Sequence, residues 1–261
     1  MDTLDISRLF SLHGRVALIT GGSRGIGRMI AEGFVRNGVR VYISARKAEA
    51  CDKTAAELSA YGHCVSLPAD VSTLEGIDDL VARFREHESS LDILVNNAGA
   101  AWAAPFDEFP ESGWDKVMDL NVKTPFFLTR ALKPELVAAA ADGDHLAKVI
   151  NIASIDGISL NPLETYSYHA SKSGLIQLTR RMAVRLIEEG IVVTAIAPGA
   201  FASNMNKEAR DHGDELKAAI PSGRIGTAED MAGAAIYLAS RAGDYVVGST
   251  VTVDGGVTHV R

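Results

Sequence analysis

The chain has 261 residues, of which 47% are hydrophobic, and it contains no run of roughly 18 apolar residues that would predict a membrane-spanning helix. Its formal net charge of -7 argues against nucleic acid or an anionic membrane as the main partner and favours a small molecule. Residues 1–5 have neither the basic region nor the apolar stretch of a secretory signal, so we expect a cytoplasmic protein.

The chain alternates short β-branched runs with longer helical patterns and shows no linker-like segment. Seven strands are predicted, at 16–19, 39–43, 65–67, 93–95, 149–152, 191–194 and 251–253. Helical stretches separate nearly all of them, which is typical of βαβ units. The expected fold is α/β, a single Rossmann-type doubly wound domain with a seven-stranded parallel sheet.

The first strand leads into a glycine-rich turn, TGGSRGIG at 20–27, followed by a helical pattern. Glycines permit close approach to a pyrophosphate, whose charge the N-terminus of the next helix then meets. The spacing differs from the common G-x-G-x-x-G fingerprint, and a plain glycine-rich turn is the alternative. The strand-turn-helix context favours a dinucleotide.

The end of the second strand indicates which dinucleotide binds. No carboxylate occurs there before Glu49, whereas Arg46 and Lys47 follow the strand and Arg24 lies in the glycine-rich turn. An acidic residue would accept hydrogen bonds from the ribose of NAD, and cations suit the 2'-phosphate of NADP. The sequence therefore favours NADP(H), the alternative being that these are solvated residues at a helix start.

Tyr168 and Lys172 stand four residues apart, fourteen and eighteen residues after Ser154. On a helix from about 168 to 189 they share one face, so the ammonium should lie beside the phenol. Bringing a phenol from a pKa of ~10 to about 7 needs roughly 4 kcal/mol, which one nearby cation supplies. We expect Tyr168 to be poised near neutrality as an acid/base group. Tyr166 is a less suitable candidate because the residue one turn on is Ala170.

In order and spacing, these motifs resemble the short-chain dehydrogenase/reductase family, together with Asn121, the NNAG run at 96–99, the PG pair at 198–199 and the VDGG run at 253–256. Segments 58–62, 112–114 and 196–199 narrow the resemblance to the 3-oxoacyl-(acyl-carrier-protein) reductase branch. The match implies an N-terminal extension at 1–12 and one NADP-binding catalytic domain at 13–261.

The resemblance implies catalytic roles for four residues. Tyr168 protonates the carbonyl oxygen, Ser154 hydrogen-bonds that oxygen, Lys172 holds the nicotinamide ribose, and Asn121 anchors a water in the proton path. The implied cofactor contacts are Gly21, Ser23, Arg24, Gly25, Ile26, Gly27, Arg46, Lys47, Asp70, Val71, Asn97, Ala98, Gly99, Tyr168, Lys172, Pro198, Gly199, Phe201 and Ser203. Asp70 has an alternative role, capping the helix that follows it.

The segments after these motifs indicate the substrate. The expected lining residues are apolar: Trp102, Ile155, Ile158, Phe201 and Met205. They favour an acyl chain, unless they serve only loop packing; a sugar would have Asp156, Asn161 and Glu164 as polar partners. The expected activity is NADPH-dependent reduction of a 3-oxoacyl thioester. The alternatives are a polyol, sugar or small-ketone dehydrogenase and a noncatalytic NADP-binding protein.

Two expectations concern metals and assembly. Cys51, Cys64 and the seven histidines lack metal-ligand spacing, so no metal is expected. The helical patterns at 114–141 and 168–189 carry more apolar residues than one sheet-facing stripe needs. A second buried face is therefore expected, which includes Phe126, Phe127, Leu128, Leu175, Leu178, Met182 and Leu186. Similar family members pair these helices into dimers and tetramers, so the resemblance implies a homotetramer.

Overall fold

The computed structural model describes residues 4–142, 145–202 and 216–260. All seven predicted strands are present, as β1 Val16–Thr20, β2 Arg40–Ser44, β3 Cys64–Ser66, β4 Ile93–Asn96, β5 Ala147–Ile152, β6 Ile191–Pro198 and β7 Thr250–Val253. They form one sheet in the order β3-β2-β1-β4-β5-β6-β7, with every neighbouring pair parallel. The predicted fold class is confirmed.

Helices cover both faces of the sheet. They are α1 Ile6–Leu9, α2 Gly25–Arg36, α3 Ala48–Leu58, α4 Leu74–Arg85, α5 Glu111–Met118, α6 Thr124–Ala131, α7 Lys133–Asp142, α8 Tyr166–Leu186 and α9 Ala228–Ala239. On one face Phe34 of α2 and Met231 of α9 are fully buried in one core cluster. On the other, Phe84 of α4 and Leu128 of α6 belong to a second. Each such side chain contributes roughly 1.5–3 kcal/mol on burial.

The strand order places a cleft at the carboxyl ends of the strands. The sequence-consecutive order reverses between β1 and β4, because β2 and β3 lie on one side of β1 and the later strands on the other. At such a switch point the connections after the two strands diverge and leave a crevice where ligands bind. The glycine-rich turn follows β1, and the segment beginning at Asn97 follows β4, so both lie at this crevice.

The opposite edge of the sheet, at the amino ends of the strands, holds ion pairs. Arg40, the first residue of β2, makes two hydrogen bonds of 2.9 Å to the Glu88 carboxylate. The Lys148 ammonium of β5 lies 2.6 Å from Asp244 Oδ1. The charges of Arg40 and Lys148 at this edge are therefore paired with carboxylates.

No helix within the described ranges combines the length and hydropathy that crossing a bilayer requires.

Candidate functional site

The glycine-rich turn presents backbone amides to the crevice. Gly21 and Gly25 have φ of +67° and +53°, a left-handed conformation that glycine adopts without strain. The helix α2 begins at Gly25, and its N-cap residue Arg24 makes no side-chain capping bond. The first-turn N–H groups of α2 thus have no capping side chain and suit an anion such as a pyrophosphate.

The turn is tied to the segment after β4. The Asn97 side-chain amide donates to the carbonyl oxygens of Thr20 at 2.8 Å and Gly21 at 3.2 Å, and Thr20 Oγ1 accepts from the main-chain amides of Asn97 and Ala98. A Cβ at Gly27 would lie 2.3 Å from the Gly21 carbonyl oxygen. Glycine is required at position 27 by this close packing. The structure thereby brings the predicted cofactor residues of both segments together.

The three predicted phosphate-binding cations are exposed at this edge. In the described part of the chain, neither Arg24, Arg46 nor Lys47 lies in an ion pair with a carboxylate. Lys47 is the N-cap position of α3 and makes no capping hydrogen bond through its side chain. Cations beside a helix N-terminus are unfavourable unless an anion is present, so their placement fits a phosphate group.

Asp70 is occupied by a local turn. Its carboxylate accepts from the main-chain amide of Ser72 at 3.1 Å and from the Ser72 hydroxyl at 2.7 Å. The N-cap of α4 is Thr73, which accepts from the Gly76 amide at 3.0 Å. The alternative reading of Asp70 as the helix cap is therefore wrong. The neighbouring Val71 is buried, and its carbonyl accepts from the Thr124 hydroxyl at 2.6 Å.

Ser154 is positioned two residues after the end of β5. Its hydroxyl accepts from the Asp156 amide at 3.1 Å and caps a 3-10 turn, Ile155–Gly157. The turn packs directly on α8, since a Cβ at Gly157 would lie 2.7 Å from the main-chain carbon of Lys172. The Ser173 hydroxyl also donates to the Gly157 carbonyl at 2.9 Å. These contacts hold Ser154 against the face of α8 that carries Lys172.

Lys172 is buried, with 4% of its surface exposed. Its ammonium donates to the Ile152 carbonyl at 2.7 Å and lies 5.6 Å from the centroid of the Tyr168 ring. Burial lowers the pKa of Lys172 to about 8, while the charge of Asp156 acts in the opposite direction. The cation therefore lies beside the Tyr168 ring but is directed at the end of β5.

The expectation of a near-neutral Tyr168 is not met in the structure. Burial raises the pKa of Tyr168 to about 12, and the negative charge of Asp156 adds to this, against a hydrogen bond with Ser154 that lowers it. Lys172 does not lower this pKa, because its own pKa of about 8 leaves it neutral at the pH where Tyr168 ionises. Tyr168 is accordingly a protonated donor at neutral pH.

Asn121 lies in a π-helical turn, Asp119–Lys123, a distortion that is frequent at functional sites. Its amide group donates to the Ala100 carbonyl at 2.9 Å and to the Ser171 hydroxyl at 2.9 Å, and its oxygen accepts from the Ala100 amide. Both amide protons are thus used by the protein. In this structure Asn121 ties the segment after β4 to α8, and its side chain has no donor left for a water.

Tyr166 occupies a separate aromatic cluster. Its hydroxyl donates to Glu164 Oε1 at 2.7 Å, and its ring packs edge-on against Phe106 at 5.5 Å and Phe109 at 5.7 Å. The hydrogen bond to Glu164 raises the pKa of Tyr166. Tyr166 is therefore held away from the acid/base role by contacts of its own.

The predicted substrate residues fall into three groups. Trp102 is half-buried against Gly113 of α5, while Ile155 and Ile158 are partly exposed on the turn after Ser154. The Phe201 ring is 2% exposed and packs on Gly226, where a Cβ would lie 2.3 Å from it. The expected contact of this ring with the substrate stays a prediction. Ser203 and Met205 lie outside the described residues.

Two residues connect the site in ways that the sequence did not indicate. Glu164, expected only as a polar partner for a sugar, accepts from the Phe106 amide at 3.3 Å, and its carbonyl accepts from the Ala104 amide at 3.3 Å. Ser171 donates to the Tyr168 carbonyl at 2.8 Å and accepts from Asn121. Only the position of Ser171 between Tyr168 and Lys172 could have indicated its role. Within the described ranges, no group of His, Cys, Asp and Glu side chains could hold a metal ion.

Comparison with known proteins defines the class. A family model described as Enoyl-(Acyl carrier protein) reductase matches residues 21–258. The chain belongs to the short-chain dehydrogenase/reductase family, as its motifs predict, and is an oxidoreductase.

Two curated relatives and one solved structure illustrate the range of proteins to which the chain is similar. The rhamnolipids biosynthesis 3-oxoacyl-[acyl-carrier-protein] reductase of Pseudomonas aeruginosa is 48% identical over 250 residues, 95% of this chain and 97% of that protein. Sorbitol dehydrogenase of Cereibacter sphaeroides is 38% identical over 257 residues, 94% and 98% of the two chains. The Pseudomonas aeruginosa RhlG/NADP active-site complex superposes with a TM-score of 0.92 at 48% identity, covering 96% and 99%. The predicted resemblance to the 3-oxoacyl-(acyl-carrier-protein) reductase branch is confirmed.

Proposed function

We propose that the protein reduces the 3-oxo group of acyl thioesters with NADPH. The observation that carries the proposal is the meeting of Ser154, Tyr168 and Lys172 at the carboxyl end of β5, beside the glycine-rich turn. Similarity to a 3-oxoacyl-[acyl-carrier-protein] reductase over nearly the whole chain supports the same substrate class.

NADP(H) is the cofactor, and its bound form supplies the hydride. The amides at the start of α2 would bind the pyrophosphate, with Gly21 and Gly27 allowing the close approach. The cations Arg24, Arg46 and Lys47, which have no carboxylate partner among the described residues, would bind the 2'-phosphate. The complex of the similar Pseudomonas aeruginosa protein with NADP supports this choice.

The proton comes from the protein. Tyr168, whose pKa is raised to about 12, is protonated at neutral pH and donates to the carbonyl oxygen as that oxygen gains charge. The Ser154 hydroxyl, fixed by the turn after β5, donates to the same oxygen. Lys172 supplies positive charge beside Tyr168 and a donor for the ribose, and Asn121 fixes Ala100 and Ser171 around them.

The substrate assignment is supported by the apolar surroundings of Trp102, Ile155 and Ile158. Each methylene that the site buries adds about 0.8 kcal/mol, so kcat/KM should rise with acyl length until the pocket is full. The second candidate is a polyol or sugar dehydrogenase, which the 38% identical sorbitol dehydrogenase favours.

The test is a substrate panel followed through NADPH absorbance at 340 nm. Acetoacetyl, 3-oxo-octanoyl and 3-oxodecanoyl thioesters, on coenzyme A and on acyl carrier protein, are assayed with NADPH. Gluconate-type sugars and sorbitol, which must be oxidised, are assayed with NADP⁺. We expect turnover of the thioesters in rising order of chain length. Turnover with the sugars alone would reject the acyl assignment, and NADPH binding without any turnover would indicate a noncatalytic protein.

We further propose a homotetramer built on an apolar groove between the π-helical turn, α6 and α8. The groove is lined mainly by apolar side chains: Met118, Val122, Phe126, Phe127 and Leu178. Phe126 is 41% exposed in the single chain, which a second copy would cover. Light scattering should report about four times the 27.7 kDa chain mass, and a monomer at micromolar concentration would reject the proposal.

The cytoplasm is the proposed location. Both cysteines are free and buried, as expected where thiols stay reduced.

A further inference from the structure

Asp156 lies in the 3-10 turn Ile155–Gly157, which directly follows Ser154. It is the second residue after Ser154, and its own amide donates to the Ser154 hydroxyl at 3.1 Å. The turn that carries it is fixed to α8 at Lys172 and Ser173. Asp156 is partly exposed, and no cation within the described ranges forms an ion pair with it. Its negative charge is therefore left to act on the site.

The Asp156 charge acts on both Tyr168 and Lys172. The turn that carries Asp156 packs on α8 at Lys172 and Ser173, which places its charge near both residues. This charge acts with burial to raise the pKa of Tyr168 and against burial on the pKa of Lys172. The neighbouring segments 97–106 and 198–202 contain no charged residue. In the π-helical turn, Asp119 and Lys123 are exposed and pair with each other at 3.3 Å. The exposed Glu164 carboxylate accepts from the Tyr166 hydroxyl and the Phe106 amide. Among the described carboxylates, Asp156 is the one carried on the turn that follows Ser154.

We propose that Asp156 is a specificity-determining residue that excludes substrates with a carboxylate near the reacting carbonyl and so favours the uncharged 3-oxoacyl group. The inference rests on the proposed reductase function. Like charges a few ångströms apart in a partly desolvated site repel strongly. A sugar acid brings its carboxylate into this range. A 3-oxoacyl thioester is uncharged around both carbonyls, because the charges of coenzyme A or of a carrier protein lie at the far end of a long arm.

The experiment uses two oxo compounds that differ by one charge, 4-oxopentanoate and its methyl ester, with NADPH. The ratio of their kcat/KM values, or of their inhibition constants against 3-oxodecanoyl thioester reduction when turnover is slow, measures charge discrimination. We expect the wild-type protein to favour the ester by at least about tenfold and Asp156→Asn to lose most of this preference. Asp156→Glu should keep it.

A pH profile adds a readout that a merely structural role would not move. Removing the negative charge lowers the pKa of both Tyr168 and Lys172, so the limbs of the kcat/KM profile in Asp156→Asn should shift to lower pH. Asp107→Asn, which removes an equal charge from an exposed 3-10 turn, is the matched control and should change neither readout.

The outcomes separate the two proposals. An unchanged ester-to-acid ratio in folded Asp156→Asn that still reduces thioesters would overturn the role of Asp156 alone. A wild-type protein that reduces no thioester would instead reject the proposed function. Equal loss of charge discrimination in Asp107→Asn would show that only the net charge of the protein matters.

Discussion

The two edges of the sheet differ in whether basic side chains are paired with carboxylates, and this difference is seen even at the two ends of a single strand. At the start of β5, Lys148 is 1% exposed and lies 2.6 Å from the Asp244 carboxylate. At the end of the same strand, Lys172 of α8 is 4% exposed and donates to the Ile152 carbonyl, with no carboxylate bonded to it in the described ranges. Burial lowers the pKa of both lysines. One cation is neutralised locally, and the other is not.

The second strand repeats the pattern. Arg40, at its start, is held by Glu88, whereas Arg46, just beyond its end, has no carboxylate partner among the described residues. An unpaired cation in or near a desolvated site is unfavourable until a negatively charged group arrives. At the amino edge, therefore, the basic side chains form ion pairs that stabilise the fold. At the carboxyl edge, Arg46 and Lys172 remain available to bind ligands and to take part in the reaction.

The largest expected effect comes from the proton donor at the carboxyl edge. Tyr168→Phe removes the hydroxyl and keeps the ring, so kcat should fall by at least ~100-fold, as is typical of a lost general acid. Binding of NADPH, measured by fluorescence quenching, should be retained.

Tyr166→Phe is the matched control, because it removes a hydroxyl two residues away that is bonded to Glu164. Its effect on kcat should be small. If the two effects were reversed, the assignment of the helix register and of Lys172 would be wrong.

At the amino edge, a substitution is expected to lower stability rather than turnover. Lys148→Met leaves the partly exposed Asp244 without its partner, and we expect the free energy of unfolding to fall by about 1–3 kcal/mol. Urea denaturation followed by circular dichroism measures this, while kcat/KM of the folded protein should be nearly unchanged. A large loss of turnover without a loss of stability would contradict the division between the edges.

The smallest expected effect concerns cofactor choice. Arg46→Ala removes a charge-assisted contact, so kcat/KM with NADPH should fall by about tenfold or more while kcat/KM with NADH stays the same. Arg40→Ala, on the same strand but at the amino edge, is the control and should leave the NADPH preference intact. Equal use of both cofactors by the wild-type protein would argue against the 2'-phosphate site.

The sequence predicted the fold because strand identity depends on local patterns. Runs such as 149–152 are rich in β-branched residues and buried, and right-handed crossovers through the intervening helices leave few topologies for a parallel sheet. The approach of the turn at 20–27 to Asn97 follows from that topology, since both segments follow neighbouring strands. The roles of Ser154, Tyr168 and Lys172 stay predictions that the geometry supports.

Details that depend on tertiary contacts could not be predicted. The pKa of Tyr168 depends on how deeply its side chain is buried, on the Ser154 hydrogen bond and on the charge of Asp156, and none of these can be read from a four-residue spacing. The burial of Phe201 arises from its contact with Gly226, a residue 25 positions away. The hydrogen bonds of Glu164 with Ala104 and Phe106 join two loops whose sequences have no periodic pattern.

The most direct test of the account is the pH dependence of stability in Lys172→Met. The folded pKa of Lys172, about 8, lies below its ordinary value of 10.5, so the folded protein binds this proton less tightly than the unfolded chain does. The buried ammonium therefore destabilises the fold below pH ~8 by roughly 3 kcal/mol, and this cost falls away as pH rises toward ~10.5.

The substitution removes that cost, although it leaves the Ile152 carbonyl without its donor, at about 1–3 kcal/mol. Urea unfolding of both proteins should show Lys172→Met at least about as stable as wild type at pH 7 and inactive. Wild type should then gain roughly 2–3 kcal/mol on the variant as pH rises from about 7 to about 10. A stability difference that is constant with pH would contradict the claim that this lysine is kept charged and unpaired for chemistry.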